Sequence, residues 1–443
     1  MKRASIFLTT LILHSLVASA QIIRNGVPWF DERDSIVSAH GANIILDNGR
    51  YYMFGEYKTD SANVFTGFSC YSSADLEHWQ WEGIALSQQR EGRLGPNRVG
   101  ERPKVLRCPS TGEYIMLMHS DNLSYKDPCV AYATSKKVTG PYRFQGPLLF
   151  NGKPIRKWDI GCFTDYDGTG YLLIHHGDIY RLSNNYHYAV ERVTSGVKGV
   201  GESPAMFRKN GIYYWISSNT TSWERNDNKY FTAKDIRGPW TFQGIFAPEG
   251  SLTWNSQSSF VLPIVHGSDT IPMYMGDRWS FPKQRSAATY VWLPLQAEDN
   301  KLSIPQYYEQ WDASASRYNN IVLPNDSLTP LTHSPALGEK FKFKAQRGDR
   351  LAIYGKTNEC SAYAVVTIKK GRKTILQQPI DFYSLQASEG LRFLSPSLKK
   401  GRYSVTINVS DMKPNWADKR RNDYGSKGYE VNLTKICILS NPR

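Results

Sequence analysis

Short stretches of alternating apolar and polar residues recur along the chain, each opened by a cluster of turn-forming residues. Five stand out: Asp47–Glu56 (DNGRYYMFGE), Thr111–His119 (TGEYIMLMH), Asp167–His175 (DGTGYLLIH), Lys209–Ser217 (KNGIYYWIS) and Asp269–Gly276 (DTIPMYMG). Turn residues reverse the chain and a period of two follows, so each reads as a β-hairpin. The five begin 64, 56, 42 and 60 residues apart, which suits one four-stranded unit per repeat. A second echo follows two of them: Thr139–Gly146 (TGPYRFQG) and Arg237–Gly244 (RGPWTFQG) are near-copies, and Ser72–Trp79 holds the same place in the first repeat. These predict outer strands whose aromatic rings seal one unit against the next. Helical periodicity is nearly absent, which argues against an α/β barrel. The expected fold class is all-β, a five-bladed β-propeller followed by a small β-sandwich.

The sandwich is read from the end of the chain. After Trp311 the repeat stops, and Ser314 to Pro335 form a polar, proline-containing stretch. New alternating strands then follow at Lys340–Ala345, Leu351–Tyr354, Tyr363–Ile368, Ser404–Val409 and Tyr429–Ile438. At the other end, Lys2 and Arg3 precede the apolar stretch Ile6–Val17, and Ala18-Ser19-Ala20 has small residues where a signal peptidase cuts. The expected domains are a signal peptide at 1–20, a propeller at 21–318 and a sandwich at 319–443, a candidate carbohydrate-binding module. No Cys stands at the cut site, and no later apolar run is long enough to span a membrane. The expected location is periplasmic or extracellular.

Charge and cysteines narrow the chemistry. The net charge is +14, and residues 321–443 hold 21 Lys and Arg against 10 Asp and Glu. These basic residues are scattered, without a helix-turn-helix, zinc-finger or RNA-recognition signature, so no nucleic-acid partner is expected. Weak attraction to an anionic polysaccharide remains open. The six cysteines are far apart and form no cluster at metal spacing, so no metal or cofactor is assigned. A structural calcium ion and the oligomeric state are left open.

In a propeller the innermost strand of each unit lines the central channel. Counting back from the hairpin tyrosines gives His40 twelve residues before Tyr52, Glu101 thirteen before Tyr114, Asp159 twelve before Tyr171 and Glu202 twelve before Tyr214. In the fifth repeat Gln257 lies seventeen before Tyr274. Three of these five are acidic. Carboxylates converging in one channel are expected to raise one another's pKa, which suits glycoside hydrolysis, where one protonated acid and a second group act across the scissile bond. The plainer alternative is that Glu101 pairs with Arg102 or Lys104.

The combination of Ala39-His-Gly-Ala-Asn43, Glu101-Arg-Pro-Lys-Val105, Trp158-Asp159, Gly201-Glu-Ser-Pro-Ala205, Asn255-Ser-Gln-Ser258, Met275-Gly-Asp-Arg-Trp279 and Tyr290-Val-Trp-Leu-Pro294 resembles glycoside hydrolase family 43, and within it the exo-β-1,3-galactanases. The resemblance runs from about Gly26 to Trp311. The C-terminal part resembles the accessory sandwiches of such enzymes through Trp416–Lys419 and Tyr424–Gly428.

The resemblance implies an inverting exo-glycosidase with Glu202 as general acid and Asp159 as the residue that tunes it. The family's usual first-blade Asp base is replaced here by His40-Gly41. Gln257 and Glu101 match the groups considered for the base in the galactanases, and of the two a carboxylate is the more ordinary base. His40, Glu56, Tyr125, Thr221, Trp223 and Trp279 are the candidate sugar-binding residues. Tyr125 and Thr221 match binding positions of the galactanase pattern, whose Thr-Gly-Trp appears here as Thr221-Ser222-Trp223. The expected substrate is a polysaccharide or oligosaccharide, foremost β-1,3-galactan, the backbone of plant arabinogalactan. An α-L-arabinofuranosidase and a non-catalytic sugar-binding propeller are the alternatives.

Overall fold

The computed structural model describes residues 21–315, 328–332, 335–417 and 422–440. The segment read as a signal peptide lies outside them, as does the domain boundary drawn at 318. The described chain is nearly all β.

Five sheets, antiparallel but for one short parallel pairing in the third, follow one another in chain order. The first holds His40–Asp47, Arg50–Glu56, Gly67–Ser73 and Gln80–Ser87. The second holds Arg98–Arg107, Tyr114–Asn122, Cys129–Ser135 and Arg143–Pro147. The third runs from Ile160–Thr164 through Gly170–Ile174 and Asp178–Leu182 to Ala189–Thr194, extended by two short strands. The fourth holds Glu202–Lys209, Ile212–Ser218, Lys229–Ala233 and Thr241–Ile245, and the fifth holds Gln257–His266, Asp269–Arg278 and Thr289–Pro294. The opening strands of the five sheets pack side by side in cyclic order, the first touching both the second and the fifth. Ile22–Arg24 pairs antiparallel with Gln310–Asp312, tying the chain before the first sheet to the chain after the fifth.

Four opening strands share one irregularity. The ladder slips between His40 and Asn43, Glu101 and Lys104, Glu202 and Ala205, and Ser258 and Phe260. A β-bulge bends its strand and re-aims the adjoining side chain. In three of them the residue after the channel position takes a left-handed backbone: Gly41 (φ 64°), Arg102 (φ 53°) and Ser203 (φ 57°). For Arg102 and Ser203, which have a Cβ, that conformation is uncommon outside sites that use it.

Inside the ring of opening strands lies a charge. Lys104 is fully buried, and its Nζ donates to the carbonyls of Gly41 (2.8 Å), Ala42 (2.8 Å) and Ser259 (2.9 Å). One ammonium thus ties the first, second and fifth sheets together. Burial, aided by the Arg102 charge, pushes its pKa down to about 7.

Beyond the fifth sheet, two four-stranded antiparallel sheets share one apolar cluster that includes Phe343, Ile353, Val366, Phe393, Val405 and Ile436. Leu328–Thr332, inside the stretch read as a linker, is an edge strand of one of them, pairing among the described residues only with Asn432–Leu439. Its Pro330 is tolerated at an edge and hides the strand pattern in the sequence. These sheets dock on the first part of the chain. Val27 packs with Leu328, Ala352, Leu391, Leu394 and Cys437, and Asn255 Nδ2 donates to Ser384 Oγ at 2.6 Å. All six cysteines are free. Among the described residues no helix is long and apolar enough to cross a membrane.

Candidate active site

The bulges gather the channel residues. Asp159, just before the third sheet, accepts from the Ser203 backbone N–H (3.2 Å) and from Ser203 Oγ (3.0 Å) through its Oδ2. Arg102 Nη2 donates to Ser203 Oγ (2.7 Å) and to Gln257 Oε1 (2.6 Å), while Nη1 reaches the Ser258 carbonyl (3.1 Å). Gln257 Nε2 in turn donates to Glu202 Oε1 at 2.9 Å. Trp279 Nε1 gives the Gln257 carbonyl a second donor at 3.1 Å. A continuous polar path therefore runs from Asp159 through Ser203, Arg102 and Gln257 to Glu202.

Arg102 does not pair with Glu101. Left-handed at the bulge, it turns toward the fourth and fifth sheets, and Lys104 is engaged with backbone carbonyls. Glu101 is held from its own sheet instead. His119 Nδ1 lies 3.1 Å from Oε2, and Tyr125 Oη donates to Oε1 at 2.6 Å. Asn63 Nδ2 donates to Oε1 at 2.9 Å, and Lys58 sits beyond it, bonded to Asn63 Oδ1 (2.5 Å) and paired with Glu56 (2.5 Å). Burial opposes ionisation of Glu101, but the hydrogen bonds from His119 and Tyr125 and the charges of Lys58 and His119 hold it well below the usual carboxylate range. This departs from the expected mutual raising of carboxylate pKa, because the channel also carries buried cations. Glu56 does go the expected way: burial raises it against the pull of Lys58.

His119 is wholly buried, and its pKa is raised to about 9: burial opposes the charge, but Asp121 (3.3 Å from Nε2) and Glu101 outweigh it. Glu101, His119 and Asp159 each bring one ligand atom to within 4.8 Å of the others. Both imidazole nitrogens already face carboxylates, Glu101 at 3.1 Å and Asp121 at 3.3 Å.

Of the residues expected from sequence, Glu101, Tyr125, Asp159, Glu202, Thr221 and Trp223 line one open cleft of about 870 Å³. Gln257, Trp279 and Glu56 join it through their hydrogen bonds. His40 does not line the cleft: its side chain is 0% exposed, its Nδ1 lies 3.1 Å from Asp277 and its ring stacks on Tyr290 at 4.6 Å. Trp254 packs against Tyr307 at a left-handed turn, Leu252–Asn255.

Several participants escaped the sequence reading. His119, Ser218 and Asp277 sit opposite Glu101, Glu202 and Gln257 in the ladder, as Glu56 sits opposite His40. The signal was available: the cross-strand partner of each channel residue lies at the end of the second hairpin strand. Trp416 and Tyr424, from the C-terminal part, also line the cleft.

A bulge-aimed set of carboxylates in a cleft with aromatic walls is the equipment of a glycoside hydrolase, and comparison with known proteins agrees. Residues 36–246 match Glycosyl hydrolases family 43. A Bifidobacterium bifidum structure assigned as an exo-β-1,3-galactanase is 34% identical, covering 63% of this chain and 95% of that one with a TM-score of 0.59. The exo-β-1,3-galactanase of Phanerochaete chrysosporium, solved with galactose, is 28% identical over 94% of this chain and 100% of its own, with a TM-score of 0.69. A β-D-galactofuranosidase from Aspergillus niger is 27% identical over 210 residues, 44% of this chain, and the chain spans 61% of its length. The chain is thus a glycoside hydrolase. It belongs to glycosyl hydrolases family 43.

Proposed function

We propose that this enzyme is an exported, inverting exo-glycosidase that releases galactose from the non-reducing ends of β-1,3-galactan, as found in arabinogalactan. The observation that carries the reading is the shared cleft of Glu101, Asp159 and Glu202 beside Thr221 and Trp223. Support for the sugar comes from the Phanerochaete relative, solved with galactose and with β-1,3-galactotriose. In this reading the five sheets are the blades of a five-bladed propeller, and the two C-terminal sheets are an attached β-sandwich.

Glu202 protonates the glycosidic oxygen as it leaves. Glu101, held ionised by His119 and Tyr125, takes a proton from the water that attacks the anomeric carbon from the opposite face. Asp159, bonded to Ser203, orients the segment that carries Glu202. Lys58, Arg102 and His119 supply the positive charge of the site, so the reaction needs no metal. A second reading gives the water to Gln257, favoured by its amide standing 2.9 Å from Glu202. Against it, both donors to the Gln257 carbonyl hold the ordinary amide form, which has no basic site of suitable pKa.

The test is turnover of β-1,3-galactobiose beside aryl α-L-arabinofuranosides and β-D-galactofuranosides, with the product anomer read by NMR. Galactose released with inversion supports the proposal. A retained anomer, or turnover confined to the furanosides, overturns it. Activity is expected to survive exhaustive treatment with EDTA.

A further inference from the structure

The C-terminal part reaches the cleft. Asn415–Ala417 and Asp423–Gly425 form a short hairpin in which Trp416 lies directly opposite Tyr424. Opposed residues in a ladder share a face, and both line the same cleft as Glu202. The hairpin is anchored on the catalytic side. Asn415 N–H donates to the Phe281 carbonyl (2.9 Å), Trp416 Nε1 donates to Ser222 Oγ (3.3 Å), and the Arg225 guanidinium lies 4.3 Å over the Tyr424 ring.

Two details mark a built site. The Trp416 ring meets Trp223 at 4.8 Å with planes 33° apart, so the two indoles form one aromatic wall rather than two isolated surface residues. Ser222, the latch, has φ 92°, a strained backbone for a residue with a Cβ. Its hydroxyl also donates to the buried Glu224 (2.5 Å), so it is held from both sides. Glu101 and Glu202 have their place at the reacting sugar, whereas Thr221 and Asn422 near this wall are exposed. The wall therefore stands toward the open end of the cleft, where the rest of an oligosaccharide must lie.

We propose that Trp416 and Tyr424, with Trp223, form a subsite for the sugar on the leaving-group side of the scissile bond, so that the C-terminal domain completes the active site. The apolar C–H face of a β-linked galactosyl unit would rest on the indole. This rests on the galactanase reading above.

The experiment compares kcat/KM on β-1,3-galactotriose with kcat/KM on β-galactosyl fluoride, which carries no second sugar, in the full-length chain. For Trp416→Ala the triose-to-fluoride ratio is expected to fall about tenfold, chiefly through KM, the scale of one lost stacking contact. Trp416→Phe should restore most of it, and Ser222→Ala should give a smaller fall, which keeps the test sound if the alanine variant folds poorly. A ratio within about twofold of wild type for both Trp416→Ala and Ser222→Ala overturns the subsite while leaving the galactanase reading intact. A wild-type enzyme that cleaves arabinofuranosides but not the triose overturns that reading first, and this one with it.

Discussion

The imidazole of His119 lies 3.1 Å from the Glu101 carboxylate, directly opposite it in the ladder of the second sheet. Position and charge come from one device. The strand register sets the pair face to face, and Asp121 on the far side of the ring keeps the imidazole protonated. Glu101 is thereby held ionised.

Replacing His119 with Gln keeps a hydrogen-bonding group but removes the charge. The pKa of Glu101 should then rise toward the ordinary carboxylate range, and the acid limb of kcat/KM should move up by about one pH unit or more. An unchanged acid limb in a folded variant would remove Glu101 from the base role. The same pair has a signature in stability. The folded pKa of His119, about 9, exceeds the unfolded 6.5, so its contribution is complete below pH 6.5 and is lost as pH rises through 9. Urea titrations of wild type should show that loss and those of His119→Gln should not.

Lys104 gives a second prediction. Lys104→Met preserves length but leaves the Gly41, Ala42 and Ser259 carbonyls without their shared donor. Ala42 keeps the Ser259 hydroxyl as a donor, and each of the other two buried acceptors left unmade costs about 1–3 kcal/mol, so the loss should be about 2 kcal/mol or more by urea denaturation. A cost below about 1 kcal/mol would mean that the sheets close without the ammonium.

The junction with the C-terminal sheets carries its own titration. Asp381 is partly buried, accepts from Ser280 Oγ (2.7 Å) and the Tyr383 N–H (2.8 Å), and is raised by burial from 3.8 to about 7. A carboxyl raised on folding adds stability that is complete below pH 3.8 and lost as pH rises through 7. Asp381→Asn mimics the protonated form. Its Tm should exceed that of wild type at pH 8 and match it only below about pH 3.8, and a lower Tm at both would show that the ionised carboxylate is the stabilising form.

What could be read beforehand follows from distance along the chain. The hairpins announce themselves because turn residues and alternation are local, and the nearly constant offset from Tyr52, Tyr114, Tyr171 and Tyr214 points to the opening-strand residues because each sheet repeats the same local geometry. The place of Arg102 could not be read for the same reason. Next to Glu101 in sequence, it is sent elsewhere by a bulge that no residue pattern reveals. His119 and Asp277 needed the register of the ladder, and Trp416 needed the docking of two parts of the chain nearly two hundred residues apart.

The division of labour between Glu202 and Glu101 makes the last prediction. Glu202→Gln cannot donate its proton, so turnover of β-1,3-galactobiose should fall about 10²–10⁴-fold, with a much smaller loss on β-galactosyl fluoride, whose leaving group needs little protonation. Glu101→Ala should lose both substrates, because a water molecule must be activated whatever departs. Azide needs no base to attack, so it should restore rate to Glu101→Ala and yield the α-galactosyl azide expected of inversion. It should not restore Glu202→Ala on the disaccharide, where the missing event is protonation of the departing oxygen. If azide instead rescues Gln257→Ala and leaves Glu101→Ala inert, the water belongs to Gln257, and the carboxylate that His119 holds ionised serves the sugar's hydroxyls.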